Sequence, residues 1–170
     1  MAEHVPEGAE VFGEGHNPDA QGLVLELHRL LCIFFASKTF AELTIDPTGP
    51  YDPLDRLRGS EQQEITRILL SSAVTARVID DRNLGWFENA EGCGTLLEGK
   101  DEQQLSFREA CNKIIHATKV RFDREHTAHG MPYVAPRMYF YGTRQNGVEW
   151  KATLDVLEYA KQFAVCLPNY

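Results

Sequence analysis

Along the chain, hydrophobic positions first recur at helical spacing. Leu23, Leu27, Leu30, Leu31, Phe34 and Phe35 make a wide apolar stripe, as on a helix that turns one face to a core. Asn17 is placed to cap that helix, Pro18 suits its first turn and Asp19 complements its positive end. Pro47, Gly49, Pro50 and Pro53 mark the loop beyond it. A second helix is predicted from the capping box of Ser60 and Gln63, through Ile65, Ile68, Leu69, Ala76 and Ile79, to the polar stop Asp80-Asp81-Arg82-Asn83. From Leu84 to Gln104 no period is clear, and Gly92-Cys93-Gly94 with Gly99 predicts a long loop holding one short turn.

A third helix starts at a second capping box, Ser106 with Glu109, where Leu105 can staple against Ala110. Phe107, Ala110, Cys111, Ile114 and Ile115 form its buried side, and Glu109 with Lys113 an exposed ion pair. The period then falls to two. Val120 and Phe122 alternate with charged neighbours, and Met138 to Thr143 is followed by Asn146-Gly147 and Val148 to Ala152, the signal of a two-residue hairpin. That register sets Arg144 opposite Glu149 and Thr143 opposite Trp150. Leu154, Leu157, Ala160, Ala164 and Leu167 suggest a closing helix stopped by Pro168.

The expected fold is α+β: mainly a helical bundle, about four helices, with a small antiparallel β-hairpin or three-stranded sheet before the last helix. Residues 1–16, rich in Gly, Glu and Pro, are expected to be a flexible arm, and 17–170 a single domain. An isolated hairpin is marginal in water. Tyr139, Tyr141 and Trp150 are therefore expected to cover the chain's own core, with a partner surface as the other outcome.

Composition changes this picture little. At 170 residues and 43% hydrophobic, the chain can bury one substantial core, and it is neither collagen-like nor a disulfide scaffold. A net charge of −8 argues against broad non-specific binding to nucleic acid or an anionic membrane, while leaving room for a local basic patch. Cys32, Cys93, Cys111 and Cys166 show no CxxC spacing, which suits a reducing cytosol, and Cys93 is the one expected to be exposed. The acidic Met1–Glu7 segment lacks an apolar core, and Leu23–Phe35 is short and interrupted by Glu26, His28 and Arg29. A cytoplasmic protein without membrane contact is expected.

The candidate chemistry lies on the third helix. Arg108, Asn112 and His116 fall at i, i+4 and i+8 and form a polar column beside the buried stripe. The run Cys111-Asn112-Lys113-Ile114-Ile115-His116 resembles the signature helix of the HEPN family, in which an Arg, usually followed by Asn or another polar residue, precedes a His by a few residues. The resemblance implies a small helical bundle, a homodimer and a metal-independent ribonuclease of prokaryotic toxin, anti-phage or RNA-processing systems, with no cofactor. Asn112 matches the polar position and His116 the catalytic His, while Cys111 stands at the Arg position and Arg108, one turn earlier, is the substitute.

On that reading the catalytic set is Arg108, Asn112 and His116. In cleavage by the neighbouring 2′-hydroxyl, His116 would move protons and Arg108 would stabilise the developing phosphorane charge. The expected partners are RNA and a second copy of the chain. The competing expectations are that Asn112 and His116 merely anchor the helix to the following loop, and that the protein is a non-catalytic interaction module holding a protein partner by its acidic surface. His126 and His129 have a zinc-like gap that His116 or Cys111 could complete, but they lie in a Gly- and Pro-containing loop without a second ligand pair, so no metal is assigned. Gly92-Cys93-Gly94-Thr95 and Gly99-Lys100 do not have the spacing of a phosphate loop.

Overall fold

The computed structural model describes residues 20–44, 53–82, 87 and 89–166. The capping residues expected at 17–19, the arm expected at 1–16, the loop prolines at 47 and 50, and the stop at Pro168 lie outside them. In chain order the elements are α1 (Ala20–Leu43), the six-residue α2 (Pro53–Arg58), α3 (Glu61–Arg82), β1 (Gly92–Glu98), β2 (Asp101–Ser106), α4 (Phe107–His116), β3 (Lys119–His126), β4 (Pro132–Thr143), β5 (Glu149–Asp155) and α5 (Val156–Cys166). The strands form one antiparallel five-stranded sheet in the order β2-β1-β5-β4-β3.

A mainly helical bundle with a small hairpin is therefore not the fold of this chain. It is α+β, with helices packed on one face of a five-stranded antiparallel sheet. The difference lies in the segment expected as a long loop, whose residues 92–104 belong to the β1–β2 hairpin. Its strands escape a period-two reading for physical reasons. A bulge between Gly92 and Thr95 shifts the parity, so that Cys93 and Leu96, an odd and an even position, both face the core. Strand β2 is an edge, and Asp101, Glu102, Gln103 and Gln104 are all exposed, with Leu105 its buried position. Gly99, at φ +59°, begins the two-residue turn.

Helix α1 buries Leu23, Leu27, Leu30 and Phe34, and α3 buries Ile65, Ile68, Leu69, Ala76 and Ile79, as their stripes predict. Phe35 is instead 60% exposed. In α4, Ser106 accepts a hydrogen bond from the Glu109 backbone N–H at 3.3 Å, which is half of the expected capping box. The closing helix begins later than its pattern suggests. Leu154 belongs to β5, Ala164 is exposed, and α5 is anchored by Val156, Tyr159 and Phe163, with Asp155 accepting from the backbone N–H groups of Leu157 and Glu158.

On the sheet, Met138, Phe140, Trp150, Ala152 and Leu154 point to the helices, and these side chains form one core with α1, α3, α4 and α5. Phe107 stacks on Tyr159 at 5.1 Å between ring centroids and also touches Phe87 and Phe163. The buried Tyr159 hydroxyl meets Ser72 Oγ at 3.0 Å and Cys111 Sγ at 3.9 Å, which satisfies it inside that cluster. Trp150 thus covers the core, whereas Tyr139 and Tyr141, of opposite parity, are half-exposed on the other face.

The β4–β5 turn is also one residue longer than expected. Thr143 pairs with Glu149 and Gly142 with Trp150, and Arg144 and Val148 close a three-residue loop in which Gly147 takes φ +82°. Gly142 is required there, because a Cβ would come within 2.3 Å of the Trp150 ring. Arg144 is consequently not opposite Glu149 and turns to Glu98 instead. Among the described residues no helix is long and apolar enough to cross a membrane.

Candidate functional site

Helix α4 ends beside the β4–β5 turn, and between them opens a cleft of about 820 Å³ whose lining includes Asn112, Lys113, His116, Arg144, Asn146 and Trp150. Two members of the expected column reach it. His116, the last residue of α4, is exposed, and Asn112 is half-buried with its Nδ2 donating to Glu109 Oε2 at 3.3 Å. Lys113 and His116 lie in the last helical turn, where positive charge suits the carbonyl end of the helix.

Arg108 does not join them. Its guanidinium forms an ion pair with the buried Asp80 of α3 and another, at 3.3 Å, with Asp81, both of which Arg77 also contacts. Helix geometry accounts for the split. At 3.6 residues per turn, a step of four residues overshoots a full turn by about 40°, so i and i+8 diverge by about 80° around the axis. Arg108 therefore ties α4 to α3 while Asn112 and His116 turn toward the strand side.

Beneath the cleft lies a network that the sequence hides. Lys113, expected in an exposed pair with Glu109, keeps that partner at 3.1 Å but is only 6% exposed. Its ammonium also reaches Glu98 at 3.1 Å and sits 4.5 Å from the centroid of the Trp150 ring. Arg144 grips the same Glu98 through both carboxylate oxygens, at 2.8 and 2.7 Å. Burial acts to raise the Glu98 carboxyl, but hydrogen bonds from Arg144 and Lys113 and their charges outweigh it and hold the group below the ordinary glutamate range.

The thiols contribute no chemistry to this cleft. All four are free. Cys93, expected to be exposed, is fully buried, and burial pushes both it and Cys111 up to about 12, so neither is a ready nucleophile. Cys32 is the exposed one. His126 and His129 are exposed around the β3–β4 turn while Cys111 is in the core, and among the described residues no three His, Cys, Asp or Glu side chains come together as a metal site.

A smaller cleft of about 330 Å³ lies at the other end of β4, bordered by Arg58, Glu61, Arg124 and Tyr133. The sequence carries no signal for this cleft, because residues of α2 and α3 meet residues of β3 and β4 there only through the fold. The chain matches no family model, no curated protein and no solved structure. The fold and the cleft define it as an α+β protein with a one-sided antiparallel sheet and a polar cleft at the end of α4.

Proposed function

We propose that the protein is an RNA-binding protein that receives its ligand in the cleft at the end of α4, with cleavage weak or absent. The observation that carries this reading is the opening of Asn112 and His116 into a cleft shared with Arg144 while Arg108 is held on α3. The first two supply hydrogen-bonding groups for phosphate, ribose or a base edge. The likeness of residues 111–116 to the HEPN signature supports RNA as the ligand. The commitment of Arg108 to Asp80 and Asp81 removes the cation that would stabilise a phosphorane, which is why binding is favoured over turnover.

His116→Ala and Arg108→Ala separate the roles. His116→Ala is expected to weaken RNA binding and leave the melting temperature unchanged. Arg108→Ala is expected to lower it by a few degrees with little change in binding, since it unpairs the buried Asp80 from one of its cations. Filter binding and thermal melts check both. A destabilised His116→Ala variant that binds RNA as well as the intact protein would return His116 to an anchoring role.

A second reading has its own observation. On α3, Leu70, Val74 and Val78, at i, i+4 and i+8, are 45%, 44% and 38% exposed. This apolar stripe favours a homodimer or another protein partner over a bare helix face.

A further inference from the structure

The sheet face turned away from the helices carries an ordered array that the cleft does not use. Strand register aligns Lys151, Tyr141 and Lys119 in one row across β5, β4 and β3, and Thr153, Tyr139 and Arg121 in the next. Tyr139 and Tyr141 are half-exposed, two residues apart on one strand, hence about 7 Å apart on the same face. The Lys151 ammonium lies 4.8 Å from the centroid of the Tyr139 ring and the Lys119 ammonium 5.9 Å from that of Tyr141. Among the described residues, no helix or strand covers these rows, and no carboxylate pairs with Lys119, Arg121 or Lys151.

The acidic groups of this face lie at its margins or are engaged. Glu102 is on the edge strand β2 and Glu149 is beside the β4–β5 turn. Asp123 lies 3.9 Å from Arg137, and Asp155 caps α5. In a chain of net charge −8, the centre of this face is a local positive island with two aromatic rings in it. Its complement is a polyanion whose repeating units also carry flat apolar faces. A duplex keeps its base faces stacked inside, so the form that fits is an unpaired strand.

We infer that the open face of the sheet is a binding surface for single-stranded nucleic acid, with successive bases resting on Tyr139 and Tyr141 and phosphates held by Lys119, Arg121 and Lys151. This surface stands on sheet register and goes beyond the cleft at the end of α4. Stacking accepts any base, so the face is tolerant of sequence, and the three cations confer salt dependence. Base stacking and phosphate contact are common to RNA and DNA, so both belong in the test.

The experiment is fluorescence anisotropy of the full chain with labelled oligouridylate, oligodeoxythymidylate and a duplex of equal length. Both single strands should bind and the duplex should bind far more weakly. Three phosphate contacts predict an affinity loss of about 20-fold between about 50 and 200 mM salt. Tyr139→Ala and Tyr141→Ala should each weaken binding at least about fivefold, Tyr139→Phe should retain it, and Lys151→Gln should lower both affinity and salt slope. Circular dichroism confirms that each variant is folded. Full binding by a folded Tyr139→Ala/Tyr141→Ala double variant, or duplex binding equal to single-strand binding, overturns the surface. Loss in His116→Ala with none in the tyrosine variants would leave the cleft and remove the face. The reverse pattern would remove the cleft and leave the face, and an intact protein that binds none of the three would remove both.

Discussion

Lys113 shows how a residue's role is set by what faces it across the fold. Its partner four positions earlier on the helix, Glu109, is visible in the sequence, but Glu98 sits on a strand inside a segment without a readable period, so a buried ion cluster looked like a surface pair. Arg108 was misplaced for a related reason, because helical spacing alone cannot say which neighbouring helix carries the matching carboxylates. Glu98→Gln is expected to cost about 1–3 kcal/mol, since it leaves a nearly buried ammonium short of one charge partner. The pH dependence has a definite sign. A carboxyl held below its ordinary range stabilises the fold fully above its unfolded value, and that contribution is lost as pH falls through the lower folded value. The intact protein should therefore lose its advantage over Glu98→Gln below about pH 4. Urea denaturation at stepped pH checks this, and parallel profiles for the two proteins would refute it.

At the scale of elements, the helices with long stripes and capping boxes were legible, and so was the β4–β5 hairpin apart from its register. What escaped were strands whose pattern is broken by their own geometry. The β1 bulge that spoils the alternation also brings backbone close to backbone: a Cβ on Gly94 would lie 1.9 Å from the Thr153 carbonyl oxygen. Side-chain movement cannot relieve that contact. Gly94→Ala should thus destabilise the protein by about 3 kcal/mol or more. A loss under about 1 kcal/mol by chemical denaturation would mean that β1 and β5 can separate locally without penalty. The extra residue in the β4–β5 loop, signalled by Gly147 at φ +82°, moves every β4–β5 partner by one place, so the pairing of Tyr139 with Thr153 and of Tyr141 with Lys151 could not be drawn beforehand.

For the whole molecule, one apolar core and the α+β class could be inferred from composition and period, but the balance between helix and sheet could not, and it decides which surfaces exist. Had the hairpin been a small insert on a bundle, no broad open sheet face would be present. The stripe of Leu70, Val74 and Val78 belongs to this scale as well. If it joins two copies, light scattering at tens of micromolar should give twice the chain mass, and Val74→Glu should halve it by placing a charge in the buried seam. A monomeric mass for the intact protein would rule that reading out.

The two ends of the sheet bear on how the protein lives among its own copies. An unpaired strand offers a ready ladder of donors and acceptors to any passing strand, and proteins guard such borders with charge. Here β2 presents Asp101 and Glu102, while β3 mixes Lys119, Arg121 and Arg124 with Asp123 and Glu125 and keeps a small basic excess. The acidic β2 borders repel one another, so two molecules meeting β2 to β2 are kept apart. An acidic border can still approach a basic one, and head-to-tail stacking into fibres is the association from which charge gives the least protection, most of all in crowded, low-salt solution.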